Sequence, residues 1–138
     1  MKKIAALDLG DVWTGIAITD PLCMFPKPYD TVATEELFSY LKSFFKKEPI
    51  KSVIVGLPKT MMGNEGEQAK KVRTLFEKLQ ITFPEFSWKL CDERLSSKRA
   101  KELKKPRTKE DKLKTHALAA TFILGTYLMI YSAQQTLE

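Results

Sequence analysis

Histidine occurs once in this sequence, at His116, and cysteine twice, at Cys23 and Cys91. The two cysteines stand alone and match no metal-ligand spacing. They read as reduced thiols filling the core of a cytoplasmic chain. No apolar run reaches the ~18 residues that a membrane span needs. The most apolar segment, Ala117 to Tyr131, is too short and carries Thr121, Gly125 and Thr126. A secretory leader is also missing: Met1-Lys2-Lys3 passes directly into a strand-like pattern that Asp8 interrupts. Internal repeats and low-complexity tracts are absent. Membrane and secreted classes are thereby set aside.

What is present is the composition of a globular protein. Hydrophobic residues make up 43% and charged residues 29% of 138 positions. That length suits one domain with one core, residues 1–138. The formal net charge of +6 points to an anionic partner, nucleic acid first, with a lysine-rich solvated surface as the plain alternative.

Patterning divides the chain into strands and helices. KIAALDL (Lys3–Leu9) and WTGIAIT (Trp13–Thr19) are short apolar runs joined by Gly10-Asp11-Val12, a linker short enough for a hairpin. Met24 to Val32 carries Pro26 and Pro28 and is at best an irregular edge strand. Thr34, followed by Glu35 and Glu36, is placed to cap a helix whose inner face holds Leu37, Tyr40, Leu41, Phe44 and Phe45. KSVIVGL (Lys51–Leu57) reads as a buried central strand. A loop over Pro58–Gly66 precedes a helix over Glu67–Leu79, with Ala69, Val72, Phe76 and Leu79 inward. Phe86–Cys91 is a fifth strand, Ser96 or Ser97 caps a short helix through Leu103, and a final helix runs from about Glu110 to about Tyr131. Antiparallel strands followed by strand–helix alternation predict an α/β fold, a mixed sheet covered by helices.

Three places attract chemistry. Asp8 ends the first strand inside an apolar run, and carboxylates are seldom buried without a partner. Gly10 and Gly15 beside it allow close approach of another group. Asp92-Glu93-Arg94 follows the fifth strand. Alternation puts Asp92 and Glu93 on opposite faces, so one of them points to any shared site. The alternative there is a strand-end turn with a salt bridge to Arg94. Carboxylates brought together repel unless a cation joins them, and a divalent metal also supplies hydrolytic chemistry. His116 lies at the edge of a stripe formed by Leu113, Ala117, Ala120, Leu124, Leu128 and Tyr131, level with Ala120 and Tyr127. Taken alone, an imidazole on a helix flank is more often structural than a ligand. The loop Pro58–Gly66, with Gly63, Asn64 and Gly66, reads as a flexible turn that can also close over phosphates.

Four stretches together resemble the YqgF (RuvX-type) family of RNase H-like nucleases: ALDLGDVWTGIAITD, VIVGLPKTMMGNEGEQAKKV, CDERLSSKRA and HALAATFIL. The resemblance covers nearly the whole chain in order. It implies an RNase H-like fold, a five-stranded mixed sheet flanked by helices. The activity it implies is metal-dependent endonuclease cleavage in 5′-end maturation of pre-16S ribosomal RNA. Alternatives are resolution of four-way DNA junctions, which favours a homodimer over a monomer, and a non-catalytic RNA- or ribosome-binding module. By the same resemblance Asp8, Asp92, Glu93 and His116 are the expected catalytic residues. Asp8, His116 and one of Asp92 and Glu93, taken as Glu93, would hold Mg²⁺ or Mn²⁺. The family places an acid at the start of its last helix, where this chain has Lys114-Thr115-His116. Neutral imidazole suits Mn²⁺ or Zn²⁺ better than Mg²⁺. Arg94, Lys104, Lys105, Arg107, Lys109, Lys112 and Lys114 are the expected phosphate contacts on structured RNA or a DNA junction, free or within a pre-ribosomal particle.

Overall fold

A computed structural model of the chain describes residues 2–58, 65–92 and 109–137, with side chains of the last segment described over 114–130. The strands are β1 (Lys3–Leu9), β2 (Trp13–Thr19), β3 (Pro26–Ala33), β4 (Ile50–Leu57) and β5 (Ser87–Asp92). A 3₁₀ turn, Thr34–Glu36, leads into α1 (Leu37–Lys47), and α2 (Glu67–Thr82) and α3 (Lys109–Leu137) follow. Among the described residues, no helix is long and apolar enough to cross a membrane.

The five strands form one sheet in the order β3-β2-β1-β4-β5. The three-residue link makes β1 and β2 an antiparallel hairpin, and β3 adds antiparallel to β2. β4 pairs parallel to β1, and β5 parallel to β4. Parallel neighbours need a crossover, which α1 and α2 provide. Pro26 and Pro28 are accommodated because β3 is an edge strand, with one register shift opposite Ile16/Ala17.

Period-two alternation sorts the side chains into two cores. On one face Ala5, Leu7, Leu9, Ile16, Ile18, Val53, Val55 and Leu57 meet Leu37, Leu41 and Phe44 of α1 and Ala69, Val72 and Leu79 of α2. On the other, Ile4, Ala6, Ala17 and Ile54 meet Ala120, Ile123, Leu124 and Leu128 of α3. The second layer is built from smaller strand residues, so α3 lies close to the sheet. Its buried stripe is wider than the sequence pattern suggested, because Ala119 and Ile123 join it.

Thr34 corrects one expectation. It makes no capping bond; its hydroxyl donates to the Gly10 carbonyl at 2.7 Å and lies 2.9 Å from the hydroxyl of the fully buried Thr14. Its N–H donates to the Val12 carbonyl at 2.9 Å. Buried polar groups that pair in this way hold a turn firmly, and this turn directly follows Asp8. The short helix expected from Ser96 or Ser97 lies outside the described residues, as does most of the expected phosphate loop.

Candidate active site

Asp8 is half-buried on the α3 face of β1, between the alternating partners Leu7 and Leu9 of the opposite core. Its register partner across the hairpin is Gly15. Glycine is required there by close approach: a Cβ built on Gly15 would lie 1.9 Å from the carbonyl oxygen of His116 and 2.8 Å from the nitrogen of Ala117. The backbone of α3 at His116 and Ala117 therefore rests on the residue paired with Asp8. The sequence reading of Gly15 as a point of close approach is met by this contact.

His116 is half-buried. Helical spacing puts it on the flank of Ile123 and Tyr127, seven and eleven residues on. That flank looks toward β5, because Lys89 of β5 donates to the Tyr127 hydroxyl at 3.0 Å. His116 thus shares the flank of α3 that Tyr127 turns toward β5, and its backbone sits against Gly15, the register partner of Asp8. Lys114 is on the opposite flank. It is exposed and borders a groove of about 560 Å³ with Tyr29, Asp30 and Leu118. In that groove Asp30 accepts a hydrogen bond from Tyr40 Oη at 3.0 Å, and burial together with this bond pushes the Tyr40 phenol well above its ordinary range.

Asp92 is half-buried at the end of β5. It pairs with Leu57 and has the parity of Leu90, both of the α1/α2 core, whereas Cys91 packs on the α3 side. Asp92 therefore belongs to the face away from Asp8. Glu93, Arg94, Lys104, Lys105 and Arg107 lie outside the described residues, and for Lys109 and Lys112 only the helical backbone is described. Among the described residues no three His, Cys, Asp or Glu side chains gather as a metal site. The two donors brought to one face, a carboxylate and an imidazole, suit a divalent cation by their chemistry and leave at least one further ligand to be supplied. Cys23 and Cys91 form no disulfide and are half-buried.

A family model described as RuvX, Holliday junction resolvase, matches residues 2–130. A protein of Rubrobacter xylanophilus named "Putative pre-16S rRNA nuclease" is 38% identical over 127 residues, covering 91% of both chains. A protein of the same name from Bacteroides thetaiotaomicron is 34% identical over 93% of this chain and 96% of its own. In structure, T. thermophilus RuvC, solved with a Holliday junction substrate, superposes with a TM-score of 0.56 at 12% identity, over 94% of this chain and 96% of that one. The likeness to RuvC is one of fold, the RNase H-like mixed sheet flanked by helices.

Proposed function

The chain belongs to the RuvX family, and on that premise we propose that it is a cytoplasmic, metal-dependent endonuclease that acts on pre-16S ribosomal RNA. The observation that carries this reading is the close approach of α3, at His116 and Ala117, to Gly15, the register partner of Asp8. In this reading an acid from the central hairpin and the sole imidazole of the chain share one end of one sheet face.

Asp8 and His116 are two ligands in this reading, and Glu93 is the third. Glu93 is preferred to Asp92 because Asp92 shares the face of Leu57. When bound there, a divalent ion supplies Lewis-acid chemistry, polarising the phosphoryl group and making water a competent nucleophile at neutral pH. Asp8 contributes a hard oxygen held by a strand that is buried on both sides. His116 contributes a nitrogen, and only neutral imidazole can do so, so protons compete with the ion. The turn held by Thr14 and Thr34 keeps the end of β1 from shifting. Lys114 and the basic residues Arg94, Lys104, Lys105, Arg107, Lys109 and Lys112 meet phosphates without reading sequence.

The family's description favours a four-way DNA junction as the second substrate. The test offers both precursor 16S ribosomal RNA and such a junction, with Mg²⁺ and Mn²⁺ separately. Cleavage of the RNA is expected. Asp8→Asn should lower it by more than ~100-fold, since losses of 10–100-fold already follow from disturbing groups that merely support a ligand. The thermal melt should stay near that of the parent. His116→Ala should weaken Mn²⁺ binding in calorimetry, and His116→Asp should restore binding of Mg²⁺. A folded Asp8→Asn protein that cleaves at the parental rate overturns the mechanism. Metal-independent binding with no cleavage of either substrate would leave a binding module instead.

A further inference from the structure

Helix α2 carries lysines that the site above does not use. Lys70, Thr74 and Lys78 recur at four-residue spacing and so stand one above another on an exposed face, with Lys71 and Glu67 beside them. These residues and Leu75 line an open groove of about 390 Å³. A second, smaller depression of about 130 Å³ shares Lys71 and Leu75 and continues to Gly10 and Asp11 in the β1–β2 turn. There Lys71 Nζ lies 3.5 Å from Asp11 Oδ1. The two depressions therefore form one path, from the turn that follows Asp8 outward along α2.

The chemistry of this path selects its ligand. Three ammonium groups face one carboxylate, Glu67, in the larger groove. Among the described residues neither Lys70 nor Lys78 makes an ion pair. The Lys71–Asp11 pair is 61% exposed on both sides, and exposed pairs of this kind are weak, so an incoming phosphate displaces Asp11 at little cost. The Thr74 hydroxyl already donates to the Lys70 carbonyl at 3.0 Å, which leaves the lysines as the donors. Among the described residues no aromatic ring lines the groove to stack a base, and no guanidinium lines it to read one. Lys70 and Lys78 are about 12 Å apart along the helix at 1.5 Å per residue. That distance matches the rise of three to four nucleotides of one strand, at ~3.4 Å each.

We propose that the α2 groove binds the sugar–phosphate backbone of the nucleic-acid substrate beyond the scissile region. α2 covers the sheet face opposite α3, so the substrate passes round the β1–β2 turn, with one arm on the Asp8 side and the other on α2. The identity of the substrate rests on the nuclease reading; the phosphate contact itself does not.

The test measures affinity of the full chain for a precursor 16S ribosomal RNA fragment in EDTA across a salt series. The parent is compared with Lys70→Gln/Lys71→Gln/Lys78→Gln. The control, Lys42→Gln/Lys46→Gln/Lys47→Gln, removes the same charge from exposed positions on α1. Each lost phosphate contact should flatten the slope of log affinity against log salt by ~0.7–0.9. The α2 variant should therefore lose about 2 to 3 units of slope while the α1 control keeps the parental slope. All six lysines are exposed, and glutamine is a comparable helix former, so both variants should melt like the parent. Equal slopes for the two variants, whether both flattened or both parental, overturn the groove and leave diffuse net charge. Cleavage in Mg²⁺ or Mn²⁺ is scored separately. A parent that cleaves, with an α2 variant indistinguishable from the control, overturns the groove alone. A parent that never cleaves but loses slope selectively on α2 overturns the nuclease reading and keeps the groove.

Discussion

Asp20 accepts hydrogen bonds from three main-chain N–H groups: Phe25 at 2.7 Å, Met24 at 2.9 Å and Leu22 at 3.2 Å. The Phe25 bond chiefly, with those of Met24 and Leu22, holds its carboxyl below the ordinary value of 3.8 despite some desolvation. The tie shapes the β2–β3 loop, in which Cys23 takes a left-handed backbone at φ 56° and Leu22, Met24 and Phe25 remain exposed. A carboxyl with a depressed folded-state pKa contributes stability that is complete above its unfolded value and lost as pH falls through the folded one. Asp20→Ala should therefore unfold at lower urea concentration than the parent at neutral pH. The gap should begin to close below pH 3.8 and vanish in stronger acid. Urea titrations at several pH values check this. A gap that stays constant into acid would mean the loop is held by something other than the charged carboxylate.

Among the elements, α3 is seated by two glycines of different kinds. At Gly15 an added methyl would meet main-chain atoms of His116 and Ala117, which cannot swing aside. Gly15→Ala should cost about 1–3 kcal/mol or more, because overpacking here must push the helix off the sheet. It should also weaken Mn²⁺ binding, as His116 is carried away from Asp8. At Gly125 an added methyl would sit 3.6 Å from Pro26 Cγ, an ordinary contact. Gly125→Ala should gain about 0.5–1 kcal/mol from helix propensity. Paired urea titrations of the two variants are the check. Equal effects would mean that α3 does not rest on β2 as described.

At the scale of the molecule, the charge of +6 is distributed rather than uniform. The exposed lysines of α2 stand on one side of the sheet and the exposed Lys114 of α3 on the other; Lys114 closes the basic run that begins at Lys104 in the sequence. If that run also meets phosphates, Lys104→Gln/Lys105→Gln/Arg107→Gln should flatten the salt slope by about 2 to 3 units, like the α2 variant. Combining the two sets should give additive losses, since distant sites act independently. An unchanged slope for the connector variant would confine the nucleic-acid surface to the described residues.

The sheet was legible because strand periodicity and a three-residue link leave few topologies. The apolar run Lys51–Leu57 is that of a strand covered on both faces, and it lies between β1 and β5. Alternation alone also set Asp92 and Glu93 on opposite faces; of the two only Asp92 is described, on the face of Leu57. Helical spacing alone set His116 on the flank of Tyr127. Three matters required the tertiary structure. Thr34 has the local signature of a cap, yet its hydroxyl finds Gly10 and Thr14, partners distant in sequence that no local pattern encodes. The flank of His116 acquires meaning only when Gly15, the register partner of Asp8, admits the helix backbone against β2. The lysines of α2 form an ordinary solvated helix face in sequence. They become a path toward Asp8 only because packing sets α2 against the β1–β2 turn. Sequence determines which residues share a face of an element; the packing of elements decides which faces meet, because those contacts join residues far apart along the chain.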